Sequence, residues 1–247
     1  GRALNVVLLF AALMVIWEAC VHVFDIKAFL LPAPSLVFAA ILQKPGFYLY
    51  HASQTLLETF LGFALATVIG VAMAVAVVYS RFVERTLFTL LITLNAVPKI
   101  AIAPLFTIWL GTDLSPKIAI AMLVALFPIV IDTVLGLRSV DPEMLDMARS
   151  LRASRRQVLW KIRAPCALPS LFAGLKVGIS LAFIAAQSGL GFVVVSSQAT
   201  FDTTPMFAAI TLLAIIGLIL FYLVELAEHL LLPWHVSRRR GAAHAHG

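Results

Sequence analysis

The stretch VDPEMLDMARSLRASRRQVLWKIRAPCALP, residues 140–169, is the longest polar interval in a chain that is otherwise strongly apolar. Its start predicts a helix, because Asp141 can cap, Pro142 fits the first helical position and Glu143 suits the first turn. Apolar side chains then recur at helical spacing opposite charged ones, and a break near residues 153–154 precedes a second amphipathic piece. The pattern indicates a short helical projection whose apolar face needs a partner.

The rest of the chain has the composition of a membrane protein. Its 247 residues are 62% hydrophobic and only 12% charged, with a mean hydropathy of +1.03. So few charges cannot cover a soluble domain, so we predict an all-α polytopic membrane protein. The net charge of +6 does not favour nucleic acid, because the charges collect in loops between apolar segments.

About six apolar segments are predicted to cross the membrane as helices. Gly62, Ala66 and Gly70 recur at four-residue steps in the second and predict close helix packing. Pro98 and Pro104 predict breaks in the third, of the kind that membrane proteins place beside cavities. The predicted spans are residues 3–24, 56–79, 86–110, 117–137, 170–184 and 206–232.

The connections between the spans carry their own predictions. Ser35 is expected to cap a short helix that ends by Lys44. Asp132 is expected to form an ion pair near the membrane surface, and residues 195–205 are interpreted as a polar connection. The predicted organisation is a first transmembrane helix (1–30), an amphipathic extracytoplasmic segment (31–52), a core (53–232) with a cytoplasmic loop (138–165), and a basic, His-containing tail (233–247).

The fifth span is short for a membrane. Either the helix is truncated or residues are missing near 184–186, and we favour missing residues. The chain does not begin with Met, so we also expect residues to precede Gly1.

The distribution of Lys and Arg predicts the orientation. With residues 140–165 in the cytoplasm, 13 of the 18 Lys and Arg residues are cytoplasmic, as the positive-inside rule requires. Six spans then place both termini in the cytoplasm.

The polar interval resembles the cytoplasmic signature of permease subunits of bacterial binding-protein-dependent ABC importers. That signature is E-A-A, three residues, G, nine residues, I-x-L-P, and its spacing fits here without a gap. Asp for Glu keeps the charge, whereas Arg for Gly would strain the chain or force a different turn if that position needs a positive φ. The matching residues are Asp146, Met147, Ala148, Arg152, Ile162, Ala164 and Pro165.

The resemblance extends over nearly the whole chain. It is to the subfamily that imports sulfonates, taurine, nitrate, or thiamine precursors and riboflavin. The segment PKIAIAPL, residues 98–105, resembles the pyrimidine-precursor or riboflavin importers a little more closely than the sulfonate importers. The other segments are LPAPSLV (31–37), APLFTIWLG (103–111), FPIVIDTVLGLRSVDPE (127–143) and SGLGFVV (188–194).

The resemblance implies a type I importer permease of the bacterial cytoplasmic (inner) membrane and not an enzyme. No Gly-x-x-x-x-Gly-Lys-Ser/Thr loop occurs in the chain, so a separate ATPase dimer would bind ATP, and no cofactor is expected here. Further implied partners are a second permease copy or a homologous permease, an extracytoplasmic solute-binding protein and membrane lipid. Residues 141–154 would form a coupling helix, and the expected coupling residues are Asp146, Met147, Ala148, Leu151, Arg152, Ala153, Ser154, Ile162 and Pro165.

Four polar residues are candidates for the substrate pathway. Asn95 and Lys99 flank the expected break at Pro98, and an intramembrane lysine is a functional hypothesis by default. The alternative is that Lys99 extends to the membrane surface from a tilted helix. Gln187 and Ser188 follow the short fifth span.

Two other classes of function fit the sequence less well. A stand-alone secondary transporter or channel would need carboxylates or histidines deep in several spans, and only Glu18, Glu58 and Asp132 come close. An intramembrane enzyme would need a motif such as HExxH or GxSxG, and neither occurs. His244 and His246 in the tail are not expected to form a metal site.

Overall fold

The structure, a computed structural model, describes residues 2–97, 99–185 and 189–232, and gives the backbone alone for residues 2–7, 92, 94–96 and 99–101. Every regular element in these ranges is helical, as predicted. A π-helical turn, Leu159–Arg163, separates the eighth and ninth helices. The helices are α1 (Arg2–Val23), α2 (Pro34–Gln43), α3 (Pro45–Tyr79), α4 (Arg81–Ala96), α5 (Lys99–Leu110), α6 (Ser115–Arg138), α7 (Pro142–Ser150), α8 (Arg155–Val158), α9 (Ala164–Ala185), α10 (Leu190–Ala199) and α11 (Thr203–Leu231).

Several of these helices can cross a membrane. Among the described residues, four helical stretches are long and apolar enough. The other two predicted spans are the searched part of α1, Leu8–Val23, which is shorter, and the third span, which is divided between α4 and α5. The four stretches are α3, α6, the stretch that contains α9, and α11.

The chain divides into two compact units, and the first comprises residues 1–57 and 186–217. The Glu18 carboxylate accepts hydrogen bonds from the Ser35 backbone N–H at 3.0 Å and from its hydroxyl at 2.7 Å. Ser35 is therefore not the cap of α2 as predicted; Ala33 is, because Pro34 occupies the first helical position. The apolar core of this unit contains Val37, Tyr48, Leu190, Val193, Ala208 and Ala209.

The second unit comprises residues 58–185 and 218–247 and is built around α6. A Cβ added to Gly62 would lie 2.6 Å from the Ala121 Cβ, and one added to Gly70 would lie 2.9 Å from the Ile129 Cγ2. Ala66, between them, is fully buried. The predicted small-residue packing face of α3 is thus confirmed, and it lies against α6. Helix α9 packs on α6 just as closely at Gly136, Gly174 and Gly178.

Prolines end or break the helices less consistently than the sequence suggested. The predicted break near Pro98 is confirmed, since α4 ends at Ala96 and Val97 is extended. Pro104, in contrast, lies inside α5. A proline within a helix removes one hydrogen bond without obliging the helix to stop.

Two predicted boundaries were wrong because a proline was taken to end a helix. Helix α3 begins at Pro45 and not at residue 56, because Pro45 starts the helix as soon as Lys44 has ended α2. Helix α9 begins at Ala164, so Pro169 is an interior residue. Counted from Ala164, α9 has 22 residues. The shortness that suggested missing residues near 184–186 therefore disappears.

The segment interpreted as a polar connection, residues 195–205, is largely helical. Helix α10 runs from Leu190 to Ala199, and α11 starts at Thr203. The apolar residues at the start of α10 supply buried contacts, Leu190 and Val193, that stabilise the helix despite its polar end.

Candidate coupling surface and substrate-pathway residues

Helix α7 begins as the sequence predicted. The Asp141 carboxylate accepts a hydrogen bond from the Glu143 N–H at 2.9 Å, and Pro142 occupies the first helical position. Asp141 and Glu143 also place negative charge at the positive end of the helix dipole. The Asp141 cap and the favourable charges of the first turn therefore both stabilise the start of α7.

The end of α7 explains the signature position at Arg152. The Ala153 N–H donates to the Ala148 carbonyl at 2.9 Å, and the Arg152 N–H donates to the Arg149 carbonyl at 2.9 Å. These two bonds define a Schellman motif, which requires a left-handed residue where Arg152 lies. Arg152 has a φ of +53°. The position thus needs a positive φ, and the turn forms with arginine where glycine is the usual residue.

A capping box starts the second piece of the projection. The Ser154 hydroxyl accepts from the Gln157 N–H at 3.3 Å, and the Gln157 side chain accepts from the Ser154 N–H at 2.8 Å. The predicted break at residues 153–154 is confirmed. Helix α8 then passes through the π-helical turn into α9, with Pro165 in the first turn of α9.

The exposed face of α7 is apolar. Met144, Met147 and Leu151 are 49%, 67% and 71% exposed, while Ala148 beneath them is buried. Together with Val158 and Ile162 they line an open groove of about 380 Å³. We call this surface, made by Met144, Met147, Ala148, Leu151, Ala153, Val158 and Ile162, the apolar groove. The opposite face of α7 carries the Asp146–Arg149 ion pair, at 2.8 Å.

The projection is fastened to the ends of two spanning helices within the second unit. The Arg163 guanidinium donates to the Leu137 carbonyl at 2.7 Å, at the end of α6. The Tyr79 hydroxyl donates to the Arg155 carbonyl at 3.0 Å, at the end of α3. Neither contact was predictable from the sequence, because nothing in the linear order pairs positions so far apart.

The ion pair expected for Asp132 does not occur among the described residues. Asp132 packs against Gly174 of α9 instead. Arg138 pairs with Glu84 of α4 at 2.9 Å, and the hydrogen bond from Arg138 holds the pKa of the Glu84 carboxyl below its usual value. The end of α6 is therefore joined to the start of α4.

The substrate-pathway predictions fall largely outside the described residues. Gln187 and Ser188 lie in the undescribed interval, and the side chains of Asn95 and Lys99 are not described. The backbone places Asn95 in the last turn of α4 and Lys99 at the first residue of α5. These four residues remain predictions.

Sequence comparison assigns the family. A family model described as "binding-protein-dependent transport system inner membrane component" matches residues 66–231. The chain belongs to this family. It is thus a multi-pass permease of the inner membrane and the non-catalytic membrane component of an ABC importer.

Three curated relatives are similar to this permease along most of its length. The riboflavin transport system permease of Chloroflexus aurantiacus is 36% identical over 91% of this chain and 88% of its own. The formylaminopyrimidine transport permease of Halalkalibacterium halodurans is 31% identical, over 94% and 96%. The taurine transport system permease of Escherichia coli is 30% identical, over 91% and 87%.

A solved structure supports the fold. A chain of the MetNI methionine ABC transporter in an inward-facing conformation superposes with a TM-score of 0.66. The two chains are 19% identical, and the match covers 77% of this permease and 97% of that chain. At this identity the likeness concerns the fold alone.

Proposed function

We propose that this permease forms the translocation pathway for a small polar or anionic solute and couples to a separate ATPase through residues 141–154. The observation that carries the coupling role is the apolar groove. Three large apolar side chains stand exposed on one face of α7, next to a polar face that needs no cover. Such a patch on a soluble surface is typical of a protein interface.

The attachment of the projection supports the same role. A coupling element must move as one body with the spanning helices if it is to transmit closure of an ATPase dimer. The bonds from Arg163 to α6 and from Tyr79 to α8 provide such an attachment. The Schellman motif and the capping box limit bending at the one break between α7 and α8.

Leu151→Asp tests the coupling role most directly. Leu151 is 71% exposed, so a carboxylate there is hydrated in the free permease but would be buried, unpaired, in a complex. We expect co-purification with the co-expressed ATPase subunit to be lost. Ala148→Arg is a poorer test, because Ala148 is buried and a long charged side chain there would disturb α7 itself.

Ser150→Asp is the matched control. Ser150 is the neighbouring residue, is exposed and lies off the apolar face, so the same charge is added at the same end of α7. We expect this variant to retain the ATPase. Retention by Leu151→Asp as well, or equal loss in both variants, would contradict the proposed interface.

The family and the charge distribution support the rest of the proposed assembly. A six-span chain supplies half of a pore, so we propose a two-fold permease dimer, or a pair with a homologous permease. The family description supports a solute-binding protein that delivers the substrate from outside. Both termini are proposed to be cytoplasmic, because that orientation agrees with the positive-inside rule.

A pyrimidine precursor of thiamine, or riboflavin, is the proposed substrate class ahead of sulfonate, taurine or nitrate. The segment at residues 98–105 and the similarity to the formylaminopyrimidine and riboflavin permeases support it. Uptake into proteoliposomes that contain the ATPase and the binding protein, with each solute in turn, is the test. Uptake of taurine alone would overturn this order.

Lys99→Met tests the proposed pathway. Loss of the charge beside the α4–α5 break should lower transport and leave assembly with the ATPase intact. Unchanged uptake would instead support the interpretation that Lys99 extends to the membrane surface.

A further inference from the structure

A basic groove lies between the start of α4 and the end of α6. It has a volume of about 640 Å³ and is lined by Arg81, Glu84, Arg85, Phe88, Thr89 and Arg138. Arg138 is paired with Glu84. Arg81 and Arg85 have no ion-pair partner among the described residues and lie one turn apart on an exposed stretch of α4. The groove therefore carries a net positive charge of about two that the described part of the chain does not neutralise.

The ends of two candidate spans indicate that the groove lies at headgroup depth in the membrane. Helix α6 is a candidate span and ends at Arg138, and α3 is another and ends at Tyr79, two residues before Arg81. Charged residues at the ends of spanning helices lie in the interfacial region, where lipid phosphates are found. Arg81 and Arg85, which have no ion-pair partner in the described part of the chain, are therefore placed where an anionic headgroup would be.

A second groove continues from the first along α4, and its lining is less polar. It has a volume of about 510 Å³, shares Arg85 and Thr89 with the basic groove, and extends to Leu90 and Thr93. The Thr89 and Thr93 hydroxyls each donate to the carbonyl four residues earlier, at 2.8 Å. Since these donors are satisfied within the helix, they face the groove as groups that hydrocarbon tolerates.

We propose that these two grooves bind an anionic phospholipid, with its phosphate on Arg81 and Arg85 and an acyl chain along Leu90. A guanidinium binds phosphate through charge-assisted, often bidentate hydrogen bonds. The two adjoining grooves together have a basic end and an apolar end, which suits an amphiphile better than a soluble phosphate ester. Glu84 pairs with Arg138, so Arg81 and Arg85 are the groove's arginines that remain to bind the phosphate.

The experiment measures phosphatidylglycerol binding to the intact, delipidated permease by native mass spectrometry, with phosphatidylcholine as the zwitterionic reference. The double variant Arg81→Gln/Arg85→Gln should bind phosphatidylglycerol about tenfold more weakly or worse, since each basic residue near the surface contributes appreciably to anionic lipid binding. Arg155→Gln/Arg156→Gln, which removes two exposed arginines outside the groove, should bind as the wild type does. Equal loss in both double variants would show a general charge effect and overturn the site.

Two further measurements complete the test. Glu84→Gln frees Arg138 and should strengthen phosphatidylglycerol binding, a gain that misfolding cannot produce. Inorganic phosphate, titrated against the bound lipid, should not displace it, because phosphate lacks the acyl contact. Displacement by phosphate, with the same dependence on Arg81 and Arg85, would overturn the lipid assignment in favour of a soluble phosphate ester.

Discussion

The Lys176 ammonium lies 2.5 Å from the Glu228 carboxylate, and this ion pair joins α9 to α11 within the second unit. The two side chains are only 21% and 17% exposed. Lys176 lies in the middle of a spanning helix, and its ammonium is 6.0 Å from the Phe221 ring centroid. An intramembrane lysine is thus neutralised by a partner that lies far away in the sequence.

Glu228→Gln should destabilise the permease by about 3 kcal/mol, because it leaves the Lys176 charge largely buried without its partner. The double variant Lys176→Met/Glu228→Leu should recover most of that loss, since an apolar pair often replaces a buried ion pair at little cost. Reversible unfolding in detergent micelles measures both. Glu225→Gln, which removes the same charge from the same helix, is the control and should change stability by less than half as much; an equal effect would mean that the pair itself contributes little.

Gly189→Ala should disrupt the start of α10. Gly189 has a φ of +60°, and an added Cβ would clash with the His51 carbonyl oxygen. The adjacent Leu190 N–H donates to the Thr55 hydroxyl at 3.0 Å, so the backbone cannot move without losing that bond. We expect a loss of at least about 3 kcal/mol, the sum of left-handed strain and a backbone clash.

Gly111→Ala isolates the conformational part of that effect. Gly111 has a φ of +87°, and nothing lies within 4 Å of the position of an added Cβ. Alanine should therefore introduce only left-handed strain, and the variant should lose about 1–2 kcal/mol of stability. Thermal melting followed by circular dichroism compares the two variants, and equal melting temperatures would show that the contact with His51 is not tight.

The sequence predicted the projection well because its start and its break are encoded locally. Asp141 and Pro142 act on the next turn, and Ser154 acts on Gln157 three residues later. A positive φ at Arg152 was raised only as a condition, through the resemblance to the signature glycine, and the structure shows that the turn has it. Interactions between residues so close in the chain can be predicted from the sequence without knowing the fold.

Long-range relationships were not predictable in the same way. Nothing in the sequence pairs Lys176 with Glu228, or Arg138 with Glu84 in preference to Asp132. The start of α9 was misplaced because Pro169 can end a helix, and only the surrounding structure shows that the helix continues through it. These features depend on which helices pack together.

The Glu84–Arg138 pair should make stability depend on pH. The hydrogen bond from Arg138 lowers the pKa of Glu84 below its ordinary value of 4.5. A lowered pKa in the folded state contributes stability above pH 4.5 and loses it as the pH falls through the folded-state value. Glu84→Gln and Arg138→Gln should each flatten the melting temperature below pH 4.5, and a wild-type slope in either variant would contradict the assignment.

Arg152→Gly should stabilise the projection, although it removes a side chain. Arg152 is exposed and lies in the left-handed region, which costs a non-glycine residue about 1–2 kcal/mol. Glycine removes that strain but loses about 0.5–1 kcal/mol through its freer unfolded chain. The net gain should therefore be up to about 1.5 kcal/mol, localised at the end of α7.

Hydrogen exchange of the Ala153 amide measures this gain, because that N–H closes the Schellman motif on Ala148. A gain of this size slows exchange up to about tenfold. Arg156→Gly is the control: Arg156 lies inside α8, where glycine costs about 1 kcal/mol, so amides there should exchange faster. Faster exchange of Ala153 in Arg152→Gly would mean that the arginine side chain itself stabilises the turn, and that its presence at the glycine position of the signature compensates for the strain.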